Sequence, residues 1–503
     1  MFKKDSTPSL ADTKQFQAPW LLHTAASRSG ILSLSKLWPW GVIDTRTQNT
    51  QEHELLAQGG ITVVGSPITP NTETSAHSPV LAEIMDVDID SHGNYIHTLV
   101  IRNGGKSVEA EAQPRHNLVM THGYFTGVGF FYRNYYDLSQ VEGWDIYSID
   151  WLGMGRSSRP TYKGCRAEGE DKRVSHAEEF FVESLEEWRK HMGIEKMTLC
   201  GHSFGGYMNS VYALKYPQHV EKLVLVSPIG LPEAPPDLEE RMRNGYSPSN
   251  SDKPKDGEPL AAPNKPSMQR VMLFRTAMSL WDRNYTPQWL VRSAGPFSRR
   301  LIDWYIGRFS LLTEEQRRGM AAYSHQIAML PESSASALGD ILRPGAFARR
   351  PLVGRLSAIT VPTTFMYGSH DWVEHTGGLE VIRRIGGRVA THLYRVPNAG
   401  HNMHIDNPTV FNRFLVSEMK GVQVYLGEMV VGKLIHIGVD LVLLSTALAG
   451  IRRSTGLKLK PGSLVESKDM QSYIERYLSL GEMAMDLAAS RMGSSSTYFT
   501  RDH

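Results

Sequence analysis

Apolar positions along this chain change period several times, and each change marks an element. Compact apolar runs at 117–121, 144–149, 196–200, 224–226, from Val361 and at 389–396 read as strands. Between them lie stretches of helical spacing. In 177–192, Phe180, Phe181, Ser184, Leu185, Trp188 and Met192 share one face, while Glu178, Glu179, Glu183, Glu186 and Glu187 form the other. Those acids read as a solvated face, not a metal site. Strands alternating with helices predict an α/β fold with a mostly parallel, doubly wound sheet. Residues 60–65 and 94–103 read as antiparallel strands ahead of it, and residues before about Gly59 show no regular period.

The alternation is interrupted after Val226. Residues 232–266 are rich in proline, glycine and charge, the composition of a mobile loop. Residues 268–281, 286–292, 299–309 and 314–329 then read as helices and predict an inserted helical cap. It is rich in Met, Phe, Leu and Trp, with Arg270, Arg275, Arg292, Arg299, Arg300 and Arg308 interspersed. An apolar lid with guanidinium groups suits an acyl chain joined to a phosphate, whereas any single arginine reads as snorkelling surface. The expected division is an arm at 1–59, a core at 60–231 and 356–420, the cap at 232–355, and a helical extension at 421–503.

Both ends carry surface-seeking features. Trp20, Trp38 and Trp40 suit a membrane interface, packing on the body, or a presequence given Lys3, Lys4, Lys14, Arg28 and Lys36; the residues leave all three open. The apolar run 434–451 is broken by His436 and Asp440. A charge at the centre costs about 2.5–3.5 kcal/mol on insertion scales, so a helix lying at the interface or packed on the body is expected rather than a span. Arg452, Arg453, Lys458 and Lys460 follow as a basic cluster for anionic headgroups. Residues 471–491 read as an amphipathic helix with Tyr473, Ile474, Tyr477, Leu478, Leu480, Met483 and Leu487 on one side.

The chain has 503 residues and a net charge of +2, which implies no nucleic-acid partner. Two cysteines, Cys165 and Cys200, give no disulfide framework, and Cys200 reads as a buried thiol in a reducing, intracellular setting. No secretory signal and no metal-ligand spacing are visible, so neither metal nor cofactor is expected.

Gly201-His202-Ser203-Phe204-Gly205 carries the chemistry. A strand precedes it and a helix follows, the context of a nucleophile elbow with Ser203 at its tip. On this elbow the acid and histidine follow the serine in chain order. Asp371 ends the strand from Val361, with Glu374 as the fallback acid. His401 follows the strand at 389–396, ahead of His370, His375, His392 and His404 as the base. Asp371 would fix the His401 tautomer and aim Nε2 at Ser203. The backbone N–H groups of Tyr124, after His122-Gly123, and of Phe204 are the expected oxyanion donors, so either side chain should tolerate replacement. His122 should pack under its loop. The glycines at 153 and 155 do not form a nucleotide fingerprint and read as a turn of the same sheet.

Together with His122-Gly123-Tyr124, Gly206-Tyr207 and Tyr367-Gly368-Ser369-His370-Asp371-Trp372, the segment His401-Asn402-Met403-His404-Ile405-Asp406-Asn407-Pro408 resembles one branch of the α/β-hydrolases. That branch includes abhydrolase-domain lipases of N-acyl phosphatidylethanolamine, a lipid-droplet lipase coactivator, lysophosphatidate acyltransferases and fungal cardiolipin-specific deacylases. The resemblance covers about residues 60–415 and implies an α/β-hydrolase fold. It also implies a phospholipid or lysophospholipid substrate at a membrane or lipid-droplet surface, in mitochondria or at the droplet and endoplasmic reticulum. Its H-x-x-x-x-D motif, here His401 and Asp406, is linked to acyl transfer, with acyl-CoA as donor. Read from the residues alone, Asp406 caps the helix starting near Pro408. The coactivator lacks the serine that this chain keeps.

Overall fold

The computed structural model describes residues 45–68, 80–102, 115–164, 169–244, 268–283, 285–331, 333–422, 444–463, 465 and 467–494. The tryptophan arm, Cys165, residues 245–267 of the insertion and the start of the apolar tail run, with His436 and Asp440, lie outside the described residues. The chain divides into two compact units, Met1–Lys420 and Gly421–His503.

The first unit opens with α1 (Thr45–Gln58) and strands β1 (Ile61–Val63), β2 (Val80–Asp88) and β3 (Tyr95–Arg102). Then come β4 (His116–Thr121), β5 (Trp144–Ile149), α2 (Glu170–His191), β6 (Met197–His202), α3 (Phe204–Lys215) and β7 (Val220–Val226). The insertion supplies α4 (Met268–Asp282), α5 (Pro287–Ser293), α6 (Ser298–Ile306), α7 (Glu314–Met329) and α8 (Ala335–Ile341). It closes with the hairpin of β8 (Leu342–Arg343) and β9 (Phe347–Ala348). The core resumes with β10 (Thr363–Gly368), α9 (Thr376–Ile385), β11 (Thr391–Val396), α10 (Met403–Asp406) and α11 (Pro408–Lys420).

Nine strands form one sheet in the order β1-β2-β3-β5-β4-β6-β7-β10-β11. From β5 to β11 all neighbours are parallel, and β6 sits between β4 and β7. Side chains at the carboxyl ends of β6, β10 and β11 therefore emerge along one edge, where ligands bind in open α/β sheets. Beneath that edge, Phe181 packs edge-on against Phe180 and Phe204 at ring separations of 5.0 and 5.1 Å. The Phe204 contact locks α2 onto the first residue of α3.

Three expectations are corrected. The Gly60–Gly65 strand is Ile61–Val63 and pairs parallel, not antiparallel, with the unforeseen β2. β3 is antiparallel to both β2 and β5. The stretch before Gly59 is not wholly irregular, because α1 occupies Thr45–Gln58 and buries Glu52, Leu55 and Leu56. The acids of α2 are not all solvated: Glu178 and Glu186 are buried. Glu178 receives two bonds from Arg355, at 2.6 and 2.9 Å, and one from the Tyr207 hydroxyl at 2.6 Å. Glu186 is held by Arg189 and by the Tyr212 hydroxyl at 2.6 Å. Each buried carboxylate has its cation and its phenol, which satisfy it away from water.

In the second unit, α12 (444–455) meets α13 (Lys468–Ser494). The Ser445 hydroxyl donates to the Tyr477 carbonyl at 2.6 Å and accepts from the Gly481 N–H at 3.0 Å, so it sits inside the α13 ladder. A Cβ at Gly481 would stand 2.2 Å from the Ser445 carbonyl oxygen, so only glycine permits this crossing. The crossing splits the expected apolar face. Ile474, Tyr477 and Leu478 are partly covered, while Tyr473, Leu480, Met483 and Leu487 stay exposed. The basic cluster is also partly neutralised, since Arg452 pairs with Glu482 and Arg453 with Glu482 and Asp486. Among the described residues no helix is long and apolar enough to cross a membrane.

The buried His97 ties α1 to the sheet, with Nε2 3.0 Å from Glu52 and Nδ1 2.8 Å from Asp86. Burial opposes charge on both partners, but the attraction of His97 and Arg156 outweighs it and holds Glu52 low, while Glu52 and Asp86 hold His97 high. Glu52 therefore stabilises α1 above the ordinary carboxylate range and loses that contribution as pH falls through its lowered value. His97 contributes fully below its ordinary value and loses its contribution as pH rises through its raised one. Glu52→Ala should cost roughly 3–5 kcal/mol in denaturant unfolding, as for one partner removed from a buried pair. In the parent, amide exchange along α1 should accelerate at the acid and alkaline extremes before it does in β6.

Candidate active site

Ser203 stands between β6 and α3 with φ 54° and ψ −112°, a left-side backbone that a side-chain-bearing residue rarely adopts. Its neighbours make the bend possible. A Cβ at Gly201 would lie 2.5 Å from Asn209 Nδ2, and one at Gly205 would lie 2.6 Å from the Thr121 carbonyl oxygen. Glycine there lets β6, α3 and the end of β4 close on one another and lifts Ser203 out of the sheet.

The three residues expected to act together are brought together. Ser203 Oγ is 3.0 Å from His401 Nε2, and His401 Nδ1 is 3.1 Å from Asp371 Oδ1. With Nδ1–H donated to the carboxylate, Nε2 is left to accept the serine proton. Asp371 is oriented in turn by the Val373 N–H, at 2.9 Å, and by the Ser227 hydroxyl on Oδ2.

The alternatives lie elsewhere. Glu374 accepts from Thr376, His370 meets Ser369, and His392 meets Glu418 from within β11. His375 packs edge-on to Tyr367 at 6.4 Å. His404 is buried, and desolvation next to His401 pushes it down to about 3. His122 accepts from the Trp151 N–H at 3.1 Å, while its other nitrogen meets the Gly123 carbonyl at 2.7 Å. Burial lowers its pKa, so it packs neutral beneath the loop. Burial pushes the Cys200 thiol up to about 12, which leaves it inert.

Two assignments change. Asp406 does not cap the following helix. Asn407 does so, its Oδ1 accepting from the Val410 N–H at 3.3 Å. Asp406 Oδ2 instead accepts from the Gly400 N–H at 2.9 Å, one residue before His401. The turn of α10 carries Asp406 back over the histidine loop and leaves the cap to the next residue. Phe204 also does more than present an N–H. Its ring is fully buried against Phe181 and Trp151, so its replacement by alanine should cost about 3–5 kcal/mol.

Sequence reasoning missed Ser227 and His202. Ser227 ends β7, the strand paired with β10, and that adjacency was its only signal. His202, the variable position of the elbow, is buried, with Nε2 3.0 Å from the His401 carbonyl oxygen. Burial, then repulsion from His404 and His401, holds it well below its usual pKa, so a neutral ring donates and fixes the His401 backbone.

Ser203 and His401 open into a cleft of about 650 Å³ beneath the cap. α4 contributes Met278 and Trp281, α6 contributes Tyr305, and the core contributes Ile229 and Trp372. The described lining carries no lysine or arginine. Of the cap arginines, Arg299 pairs with Asp303, and Arg300 lies over Phe297. Among the described residues, no group of His, Cys, Asp and Glu could hold a metal.

An elbow serine, a histidine and an acid on a parallel sheet define a class, and the sequence comparison gives the same class. Residues 117–408 match the family described as alpha/beta hydrolase fold, and this chain belongs to it. Residues 431–501, within the second unit, match a family described as Mitofissin. The 1-acylglycerol-3-phosphate O-acyltransferase of Arabidopsis thaliana is 35% identical over 302 residues, covering 59% of this chain and 64% of the relative. The chain thus spans a little under two thirds of that relative. The (lyso)-N-acylphosphatidylethanolamine lipase of Bos taurus is 30% identical over 312 residues, covering 61% and 80%. The 1-acylglycerol-3-phosphate O-acyltransferase ABHD5 of Homo sapiens is 28% identical over 302 residues, covering 59% and 75%.

Removing Ser203 or His401 should lower turnover of a soluble ester on the order of 10⁴-fold or more, as for other triads. Asp371→Asn should follow, with Glu374→Gln near the parent. For Asp406→Ala, the expected outcome is a fall in kcat with KM little changed. Asp406→Asn, whose amide oxygen still accepts from Gly400, should retain most turnover.

Proposed function

We propose that the first unit is a serine acyl hydrolase that deacylates phospholipids or lysophospholipids at a membrane surface. The observation that supports this reading best is the Ser203–His401–Asp371 chain opening into an apolar cleft. Ser203 Oγ attacks the ester carbonyl carbon as His401 Nε2 takes its proton. The N–H groups of Phe204, first in α3, and of Tyr124 receive the oxyanion. The carbonyl–oxygen bond breaks and His401 returns the proton to the departing alcohol. Water then repeats the sequence and releases a fatty acid. The apolar wall holds the acyl chain, and a surface-seated second unit, with exposed Tyr473, Leu480, Met483 and Leu487, keeps the enzyme at lipid.

A second reading, acyl-CoA-dependent acylation of lysophosphatidate, is favoured by the name of the Arabidopsis relative and uses the same serine and base. A non-enzymatic coactivator would not need a serine held 3.0 Å from its base. Purified full-length protein should release fatty acid from phosphatidylcholine or lysophosphatidate without acyl-CoA, and the Ser203→Ala protein should not. Product formation that appears only with acyl-CoA would replace the first reading with the second, and no turnover with either would leave the coactivator.

A further inference from the structure

The outer face of the cap has no described cover. On α6, Ser298, Ile302 and Ile306 are buried against the body. The opposite stripe holds Phe297, Leu301 and Trp304, spaced i, i+4, i+7 and 60%, 42% and 72% exposed. Arg300 lies over the Phe297 ring at 5.7 Å, and Arg308 continues the same stripe in the open. Elsewhere on the cap, α4 also exposes Met268 and Met272. Charge on this stretch is one-sided: residues 298–309 contain three arginines and one aspartate, with no lysine or glutamate.

We infer that the α6 face of the cap docks the first unit on an anionic lipid bilayer. This deepens the proposed function by naming the surface through which that site meets its substrate. An indole, a phenyl and a leucine on one stripe, flanked by guanidinium groups, are the side chains that settle at a headgroup boundary. A protein partner would be expected to match the apolar stripe but has no need of the arginine excess, whereas an anionic headgroup layer matches both. The same helix turns Tyr305 into the cleft wall. A bilayer on the outer face therefore lies about one helix diameter, ~10 Å, from the cleft. Lipid leaving the bilayer would pass between the cap and Trp372, whose ring is 4.8 Å from His401 and partly exposed.

A photo-reactive p-benzoylphenylalanine in place of Trp304 tests this in the full-length protein, with phosphatidylcholine vesicles prepared with and without phosphatidylserine. Irradiation should join position 304 to lipid, far more with phosphatidylserine. Arg300→Glu with Arg308→Glu should cut that adduct at least tenfold while turnover of a soluble ester stays at the parent level. The same probe at Arg318, exposed on α7, serves as the reference. Adducts at 304 no greater than at 318 would overturn the inference, as would adducts only to protein. So would equal yield in the charge-reversed variant. The Ser203→Ala background must cross-link equally. A chain that cross-links but releases no fatty acid would sink the hydrolase reading and leave this one standing.

Discussion

The site depends on one constraint: Ser203 must keep a positive φ at the end of a central strand. A strained residue persists only where its surroundings over-determine it. Here the Ser203 N–H bonds the Val226 carbonyl at 2.8 Å, its carbonyl receives the Tyr207 N–H at 3.1 Å, and the flanking glycines leave no room for another path. Below, Phe204 is fixed by Phe181 and Trp151. The hydroxyl is therefore presented by the sheet itself, and the histidine and acid need only come from two neighbouring loops.

Those loops are held by backbone as much as by side chains. Asp406 restrains Gly400, His202 restrains the His401 carbonyl, and Ser227 and Val373 restrain Asp371. A base that must move a proton in both directions gains from a fixed ring, because each lost alignment is paid in rate. Above, the cap supplies most of the apolar wall. The lining of the cleft can thus vary with the insertion while the Ser203–His401–Asp371 geometry stays with the sheet.

Much of this was legible in the residues. A strand, Gly-x-Ser-x-Gly and a helix are local features, and so are Asp371 and His401 at strand ends; chain order together with those positions favoured them over Glu374 and the other histidines. What was not legible depends on partners distant in sequence. Thr45–Gln58 carries little apolar periodicity, so α1 is recognisable only through Glu52 meeting His97. Glu178 and Glu186 look like surface acids until Arg355, Arg189 and two tyrosines are seen around them. Asp406 sits where an N-cap belongs, and only the turn of α10 shows that Asn407 takes that place. The tail helix reads as one apolar face because sequence spacing cannot show that Ser445 crosses at Gly481 and covers part of it.

The central claim is that Ser203 carries the acyl group between lipid and water. Rapid quenching of the full-length protein with a phospholipid, followed by mass analysis of its peptides, tests it directly. The account predicts one acyl chain esterified to the peptide containing Ser203, absent from Ser203→Ala and accumulating when Asp371 or His401 is weakened at the deacylation step. Fatty acid released with no acylated Ser203 peptide under any quench, or an acyl group found on another residue of a catalytically active Ser203→Ala protein, would contradict it.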